Sequence, residues 1–289
     1  MNAYPECFPC QLKTALNALN KATKDENIKK EVMIEVLKIL WNHRYNYPPP
    51  KIFREIMRAI KNITKNQDPY KEDKKIQNKN MLKLYTTFKE KVLKSPEPIL
   101  NALLLSSAGN LIDAVVEKHT ITIELDHFLN KGFLIDKTHD FKEKLAKSNT
   151  LLLIADNAGE IILDKILIEI LKEYYSHLKI ILAVRGAPVL NDVTFDDLKE
   201  IEFDDMCSVI STGDDTPGII WEFLSDKFKE IFKNSDLIIA KGQGNFETLE
   251  PLGDSRIFFL FWAKCEAVKN YLGLKESGPL FFSSLCAKS

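Results

Sequence analysis

Four short segments of this 289-residue chain combine residue types that can hold a cation and an anion in one place. Asp156-Asn157-Ala158-Gly159-Glu160 sets a carboxylate and an amide oxygen side by side. Hard oxygens of this kind suit Mg2+, Mn2+ or a related divalent ion. Gly159 permits a tight turn, and a helix beginning there aims its N-terminal amides, a natural phosphate seat, at the same spot. Asp and Asn are equally ordinary helix caps. The stretch from Arg185 to Asn191-Asp192 delivers a second carboxylate, Asp192, and also reads as a plain turn. Lys241-Gly242-Gln243-Gly244-Asn245-Phe246-Glu247 has the lysine and glycines of a phosphate loop. It lacks the third glycine of a dinucleotide fingerprint and the residue order of a Walker loop, and a turn is its other reading. Lys264-Cys265 offers one more lysine.

Each segment follows an apolar run of strand length: Leu151 to Ala155, Ile180 to Val184, Leu237 to Ala240 and Ile257 to Trp262. Cys207 to Ile210 is a further candidate strand, and helical patterns cover Ile161 to Tyr175 and Ile219 to Phe232. Unbroken apolar strands alternating with amphipathic helices predict an α/β domain over residues 148–289, with a mostly parallel sheet covered on both faces. In such sheets ligands sit beyond the carboxyl ends of the strands, where all four segments lie. Residues 1–147 read as an all-helical N-terminal region packed against that domain. Apolar residues recur at helical spacing through Leu12, Leu16 and Leu19, then Val32, Val36 and Leu40, then Ile52, Ile56 and Ile60. Pro48-Pro49-Pro50 breaks the chain between helices, Lys71 to Lys94 reads as one long helix with a solvated lysine face, and Leu100 to Val116 as a buried helix.

Composition narrows the function. Lys+Arg number 40 against 41 Asp+Glu, so no global field holds a polyanion, and neither nucleic acid nor a membrane surface is an expected partner. Arginine occurs only at Arg44, Arg54, Arg58, Arg185 and Arg256, too few for a many-armed anion clamp. An anion site must rest on a lysine, a metal or backbone amides. The start, Met1 to Cys10, lacks the pattern of an export signal, and no apolar run reaches membrane-spanning length. Five cysteines, an odd number, fit a reducing cytoplasm better than a disulfide framework. Cys7-Phe8-Pro9-Cys10 is a lone CxxC; with Cys265 and Cys286 it supplies enough thiols for a second metal or a redox site, or simply packed thiols. The histidines His43, His119, His127, His139 and His177 show no ligand spacing.

The segments recur in an ordered set. Cys7-x-x-Cys10, Asp68-Pro69-Tyr70-Lys71 and Ala108-Gly109-Asn110-Leu111-Ile112-Asp113 precede the Asp156-Asn157 segment. Asn191-Asp192-Val193-Thr194, the Lys241 to Leu249 segment and Ala263-Lys264-Cys265 follow it. The set resembles the metal-dependent damage-control phosphatases, known as domain of unknown function 89, in the smaller microbial branch with an N-terminal CxxC. The resemblance implies a Rossmann-like α/β part with one divalent metal (Mn, Ni, Co or Mg) at the carboxyl edge of its sheet. It implies metal ligands at Asp156, Asn157 and Asp192, and a phosphate-binding lysine at Lys264. It places Gly244, Asn245, Asn110 and Asp113 in the same cavity, and hydrolysis of phosphate esters of small metabolites as the activity. The larger branch, acting on sugar phosphates, carries an arginine-containing motif before that lysine; here the stretch reads Phe261-Trp262-Ala263-Lys264.

In that setting the amides near Gly159 and Glu160, with Lys241 and Lys264, are the expected phosphate ligands. A metal-oriented water is the simpler nucleophile, with Asp156 or Glu160 as base; attack by Asp156 itself is the alternative. Two other classes fit the pattern less well. One is an S-adenosylmethionine-dependent carboxyl methyltransferase; the other is a non-enzymatic metal or redox module built on the CxxC.

Overall fold

The structure, a computed structural model, describes residues 1–43, 45–109, 129–199, 201, 203 and 206–284. Among the described residues the first elements are α1 (Cys7–Ala22), α2 (Glu26–His43), α3 (Pro49–Thr64), α4 (Lys71–Leu82), α5 (Tyr85–Leu93) and α6 (Pro98–Ser107). Then follow β1 (Ile135–Asp136), α7 (Thr138–Leu145), β2 (Thr150–Ile154), α8 (Glu160–Tyr174), β3 (Lys179–Val184) and β4 (Ser208–Ser211). The chain continues through α9 (Asp226–Asn234), β5 (Leu237–Lys241), α10 (Gly242–Leu249), β6 (Ile257–Ala263), α11 (Glu266–Leu272) and β7 (Gly278–Ser283). The strands form one sheet in the order β1-β7-β6-β5-β2-β3-β4, parallel except where β6 meets β7.

Within it, β4-β3-β2-β5-β6 is the doubly wound order, which reverses direction between β2 and β5. Strand side chains alternate between two cores. Leu151 and Leu153 of β2 join α5, α6, α7 and α8 on one face. Leu152 and Ile154 join α1, α2, α3, α9 and α10 on the other. Burial on both faces is why these strands read as continuous apolar runs. The N-terminal helices thus supply part of both helical layers, and the sheet reaches back before residue 148 through β1, which pairs with β7. Among the described residues no helix is long and apolar enough to cross a membrane.

Pro49 and Pro50 open α3, where a missing N–H costs nothing and the ring pre-sets φ. Four expectations are corrected. The helix foreseen from Lys71 to Lys94 divides at Lys83-Leu84, where Leu84 N–H closes a short turn on the Met81 carbonyl (2.9 Å). Its lysine face is not wholly solvated, since Lys74 is completely buried. The helix foreseen over Ile219 to Phe232 starts only at Asp226. Leu224 is extended, and Ser225 caps α9 by accepting from Phe228 N–H (3.2 Å). The segment after Lys241, expected as a loop, begins a helix at Gly242.

Candidate active site

Backbone hydrogen bonds stitch the β2 and β3 junctions together. Val193 N–H donates to the Asp156 carbonyl (2.9 Å), Ala158 N–H donates to the Asn191 carbonyl (2.8 Å), and Asn157 and Asp192 form an isolated antiparallel bridge. Asp156, Asn157 and Asp192 are therefore neighbours because the chain leaves β2 and β3 side by side. Asn157 Nδ2 reaches Asp156 Oδ2 at 2.6 Å. Gly242, at the adjacent end of β5, closes the floor. A Cβ there would lie 2.1 Å from Asp156 Oδ2, and φ is +79°, so glycine meets both demands. The site sits at the switch point of the sheet.

Two buried cations organise the ground beneath it. Arg185, at the end of β3, donates from Nε to Asp192 Oδ2 (2.7 Å), from Nη2 to Asn245 Oδ1 (3.0 Å) and from Nη1 to the Gly218 carbonyl (3.2 Å). Lys241 Nζ contacts Glu160 Oε1 (2.5 Å), Asp164 Oδ1 (2.6 Å) and the Ser106 carbonyl (2.8 Å). Four carboxylates, Asp156, Glu160, Asp164 and Asp192, thus face two cations. The carboxyl of Asp156 is pushed well above the usual carboxylate range by removal from water, then by Asp192 and Glu160. Burial also raises Asp192, against the pull of Arg185.

A surplus of negative charge with converging hard oxygens is what a divalent cation neutralises. Mg2+-type ions commonly bind through one or two carboxylates plus substrate phosphate, so two carboxylates and an amide fit such an ion. Among the described residues no group of three or more His, Cys, Asp or Glu gathers to hold a metal, so a cation here would need oxygens beyond the carboxylates, such as the Asn157 amide, substrate or water.

A cavity of about 610 Å³ opens over these residues, lined by Asp156, Asn157, Glu160, Asp192, Gly244 and Lys264 among others. Lys264 is exposed, just past β6, with its N–H held by Gln243 Oε1 (3.0 Å). The remaining expected ligands are placed differently. Lys241 does not line the cavity; it is fully buried, with its ammonium ringed by three oxygens below the floor. This corrects its reading as a phosphate ligand. Gly159 does not line the cavity either, and its N–H is donated to Asn78 Oδ1 (2.7 Å). Asn245 is buried below, donating from Nδ2 to the carbonyls of Lys241 (2.6 Å) and Ala155 (3.3 Å), and thus holds the β2 and β5 ends together. Asn110 and Asp113 lie outside the described residues, as does Cys286.

Cys7, Cys10 and Cys265 meet on the cavity wall as free thiols. Burial raises the Cys7 thiol to about 11 and lifts Cys265 as well, so both rest as neutral thiols in the metal-free protein. Replacing Cys7 and Cys10 together with serine should leave bound metal and phosphate release unchanged. Loss of metal from that variant, read by elemental analysis, would make the thiols ligands.

Sequence reasoning missed Arg185, Asp164, Lys74 and Asn78. Arg185 carried a signal: it is one of the few arginines and stands at a strand end. The others act across long sequence separations that no local pattern announces.

Comparison with known proteins places the chain. The family description of the damage-control phosphatase ARMT1-like domain matches residues 3–278. A damage-control phosphatase of Pyrococcus horikoshii is 34% identical over 275 residues, covering 94% of each chain. A damage-control phosphatase of Archaeoglobus fulgidus is 30% identical over 281 residues, covering 95% of this chain and 96% of that one. An uncharacterised protein of Methanocaldococcus jannaschii is 35% identical over 284 residues, covering 93% and 91%. The crystal structure of a DUF89 family protein from Pyrococcus horikoshii superposes with a TM-score of 0.89 at 31% identity, over 98% of this chain and 99% of that one. With the fold and nearly the whole length matched, this chain belongs to the damage-control phosphatase ARMT1-like family.

Proposed function

We propose that this chain is a metal-dependent phosphatase that hydrolyses phosphomonoesters of small metabolites. The observation that carries the reading is the convergence of Asp156, Asn157 and Asp192 at the switch point of the sheet, on a cavity that also holds Lys264. The names of the Pyrococcus and Archaeoglobus relatives support the reaction class. Asp156, Asn157 and Asp192 would hold one divalent ion, Mn2+, Ni2+, Co2+ or Mg2+. When bound, that ion supplies polarisation of a phosphate oxygen and an offset to the charge of the transition state.

The chain's own residues do the rest. Lys264 binds the remaining phosphate oxygens as a charge-assisted donor. Glu160 reaches the cavity with Oε1 tied to Lys241, and in this orientation it accepts the proton of the attacking water. Asn245 and Arg185 keep Asp192 and the floor in register, which matters because phosphoryl transfer depends mainly on positioning and charge. Among the described residues that line the cavity, Lys264 is the one basic side chain; Glu6, Glu247 and Glu266 line the wall with Phe53, Phe261 and Trp262. Such a wall favours a monophosphate whose other end carries no second anion.

The test is phosphate release from a panel of phosphomonoesters by chelator-treated protein before and after each metal is restored. Hydrolysis only with metal, and slower for bisphosphates than for their monophosphate counterparts, is the expected result. Absence of hydrolysis across the panel with every metal overturns the reading. Lys264→Ala should lower kcat/KM by about 10–100-fold, mainly through KM, as loss of a charge-assisted hydrogen bond of about 1.5–3 kcal/mol implies. Unchanged steady-state kinetics would remove Lys264 from the site.

A further inference from the structure

The stretch Asp68-Pro69-Tyr70-Lys71 lines no part of the cavity, yet it starts a helix that grips the site from behind. Asp68 Oδ1 accepts from Tyr70 N–H (3.2 Å), and its Oδ2 pairs with Lys74 Nζ at 2.9 Å. Lys74, fully buried on α4, reaches on to Asp197 Oδ2 at 2.9 Å. That same oxygen accepts from Thr194 N–H (2.8 Å) and Thr194 Oγ1 (2.7 Å), two residues past Asp192. One turn further along α4, the buried side chain of Asn78 faces both junctions. Its Nδ2 donates to the Asp197 carbonyl (3.1 Å), and its Oδ1 accepts from Gly159 N–H (2.7 Å), two residues past Asn157.

One helix therefore bonds to both loops that carry the candidate ligands. The loops need such a hold. Gly159 adopts φ +74°, and Leu190, two residues before Asp192, adopts φ +46°, an unfavourable conformation for a residue with a side chain. A buried N–H left without its acceptor, or a buried carbonyl without its donor, drives the backbone to rearrange.

We propose that Lys74 and Asn78 are positioning residues. They hold the Asp156-Asn157 loop and the Asp192 loop in ligating register, so that metal affinity depends on a helix that supplies no ligand. The inference rests on the reading of Asp156, Asn157 and Asp192 as the ligand set.

The test is Mn2+ binding by titration calorimetry to full-length protein, with no substrate present. Wild type should bind one Mn2+, and Asn78→Leu should bind it about 10–100-fold more weakly, the usual effect of removing a partner that orients ligands. Asn78→Asp keeps an acceptor for Gly159 N–H but loses the donor to Asp197; its loss should be smaller, and it decides the matter if the leucine variant does not fold. Asp236→Ala serves as the stability control. Asp236 Oδ2 accepts from Asn149 N–H and Thr150 N–H (2.9 Å each) at the opposite edge of the sheet, so its loss should lower the melting temperature without changing Mn2+ affinity. Wild-type affinity in the folded Asn78 variants, or an equal weakening in Asp236→Ala, overturns the brace. Failure of wild type to bind Mn2+, or undiminished binding by Asp156→Ala, overturns the ligand reading itself, and the brace with it.

Discussion

Asp156→Ala is expected to lower phosphomonoester turnover by about 10³-fold or more, while the folded protein survives. Loss of a group that holds the charge-neutralising ion removes several kcal/mol of transition-state stabilisation, and about 4 kcal/mol corresponds to that factor. The prediction for stability runs the other way. In the protein without metal, Asp156 is removed from water and faces Asp192 and Glu160, so its carboxyl holds its proton well above the ordinary range. A carboxyl raised in the folded state penalises folding once the pH exceeds its unfolded value, and the penalty grows until the folded value is reached. Metal-free wild type should therefore lose stability as pH rises, and Asp156→Ala should flatten that slope. Thermal melts in chelator across pH, beside steady-state kinetics with metal restored, test both halves. Retained turnover, or a variant that is unfolded in chelator, would contradict the account.

Lys241→Met should destabilise the fold strongly, by about 3–5 kcal/mol, because removing one partner of a buried ion pair strands the others. Two carboxylates are stranded in this case. Glu160 and Asp164 are 4% and 1% exposed and share the Lys241 ammonium. Even beside that ammonium, burial pushes the carboxyl of Asp164 up to about 6. At roughly 2–4 °C per kcal/mol for a chain of this order of size, the melting temperature should fall by about 10 °C. Denaturant unfolding monitored by circular dichroism gives the same quantity independently. A phosphate ligand at the cavity surface behaves differently: its loss leaves stability nearly unchanged and raises KM. Wild-type stability with a raised KM in Lys241→Met would return Lys241 to the substrate.

The contrast between Lys241 and Lys264 shows where the sequence was legible. Both lysines follow a strand, and in a parallel sheet the end of a strand marks the functional edge without indicating which way the next side chain turns. The structure turns Lys264 to the cavity and Lys241 below it. The juxtaposition of Asp156, Asn157 and Asp192 was legible because their segments follow apolar runs whose length and composition fix a strand, and adjacent parallel strands bring their ends together. β7 escaped because Gly278 and Pro279 look like a strand breaker, whereas antiparallel pairing with β6 accommodates both. Asn78 and Lys74 escaped because α4 is lysine-rich and reads as a solvated face. Their partners Gly159 and Asp197 lie 81 and 123 residues away, a separation set by tertiary packing alone.

We propose that one divalent ion, held by Asp156, Asn157 and Asp192, makes this chain a phosphatase. The most direct measurement titrates metal into a single chelator-treated preparation and follows bound metal and phosphate release together. Activity should rise in proportion to bound metal and saturate at one ion per chain. Full activity before any metal is added, or metal bound at one per chain without phosphate release from any phosphomonoester, would contradict it.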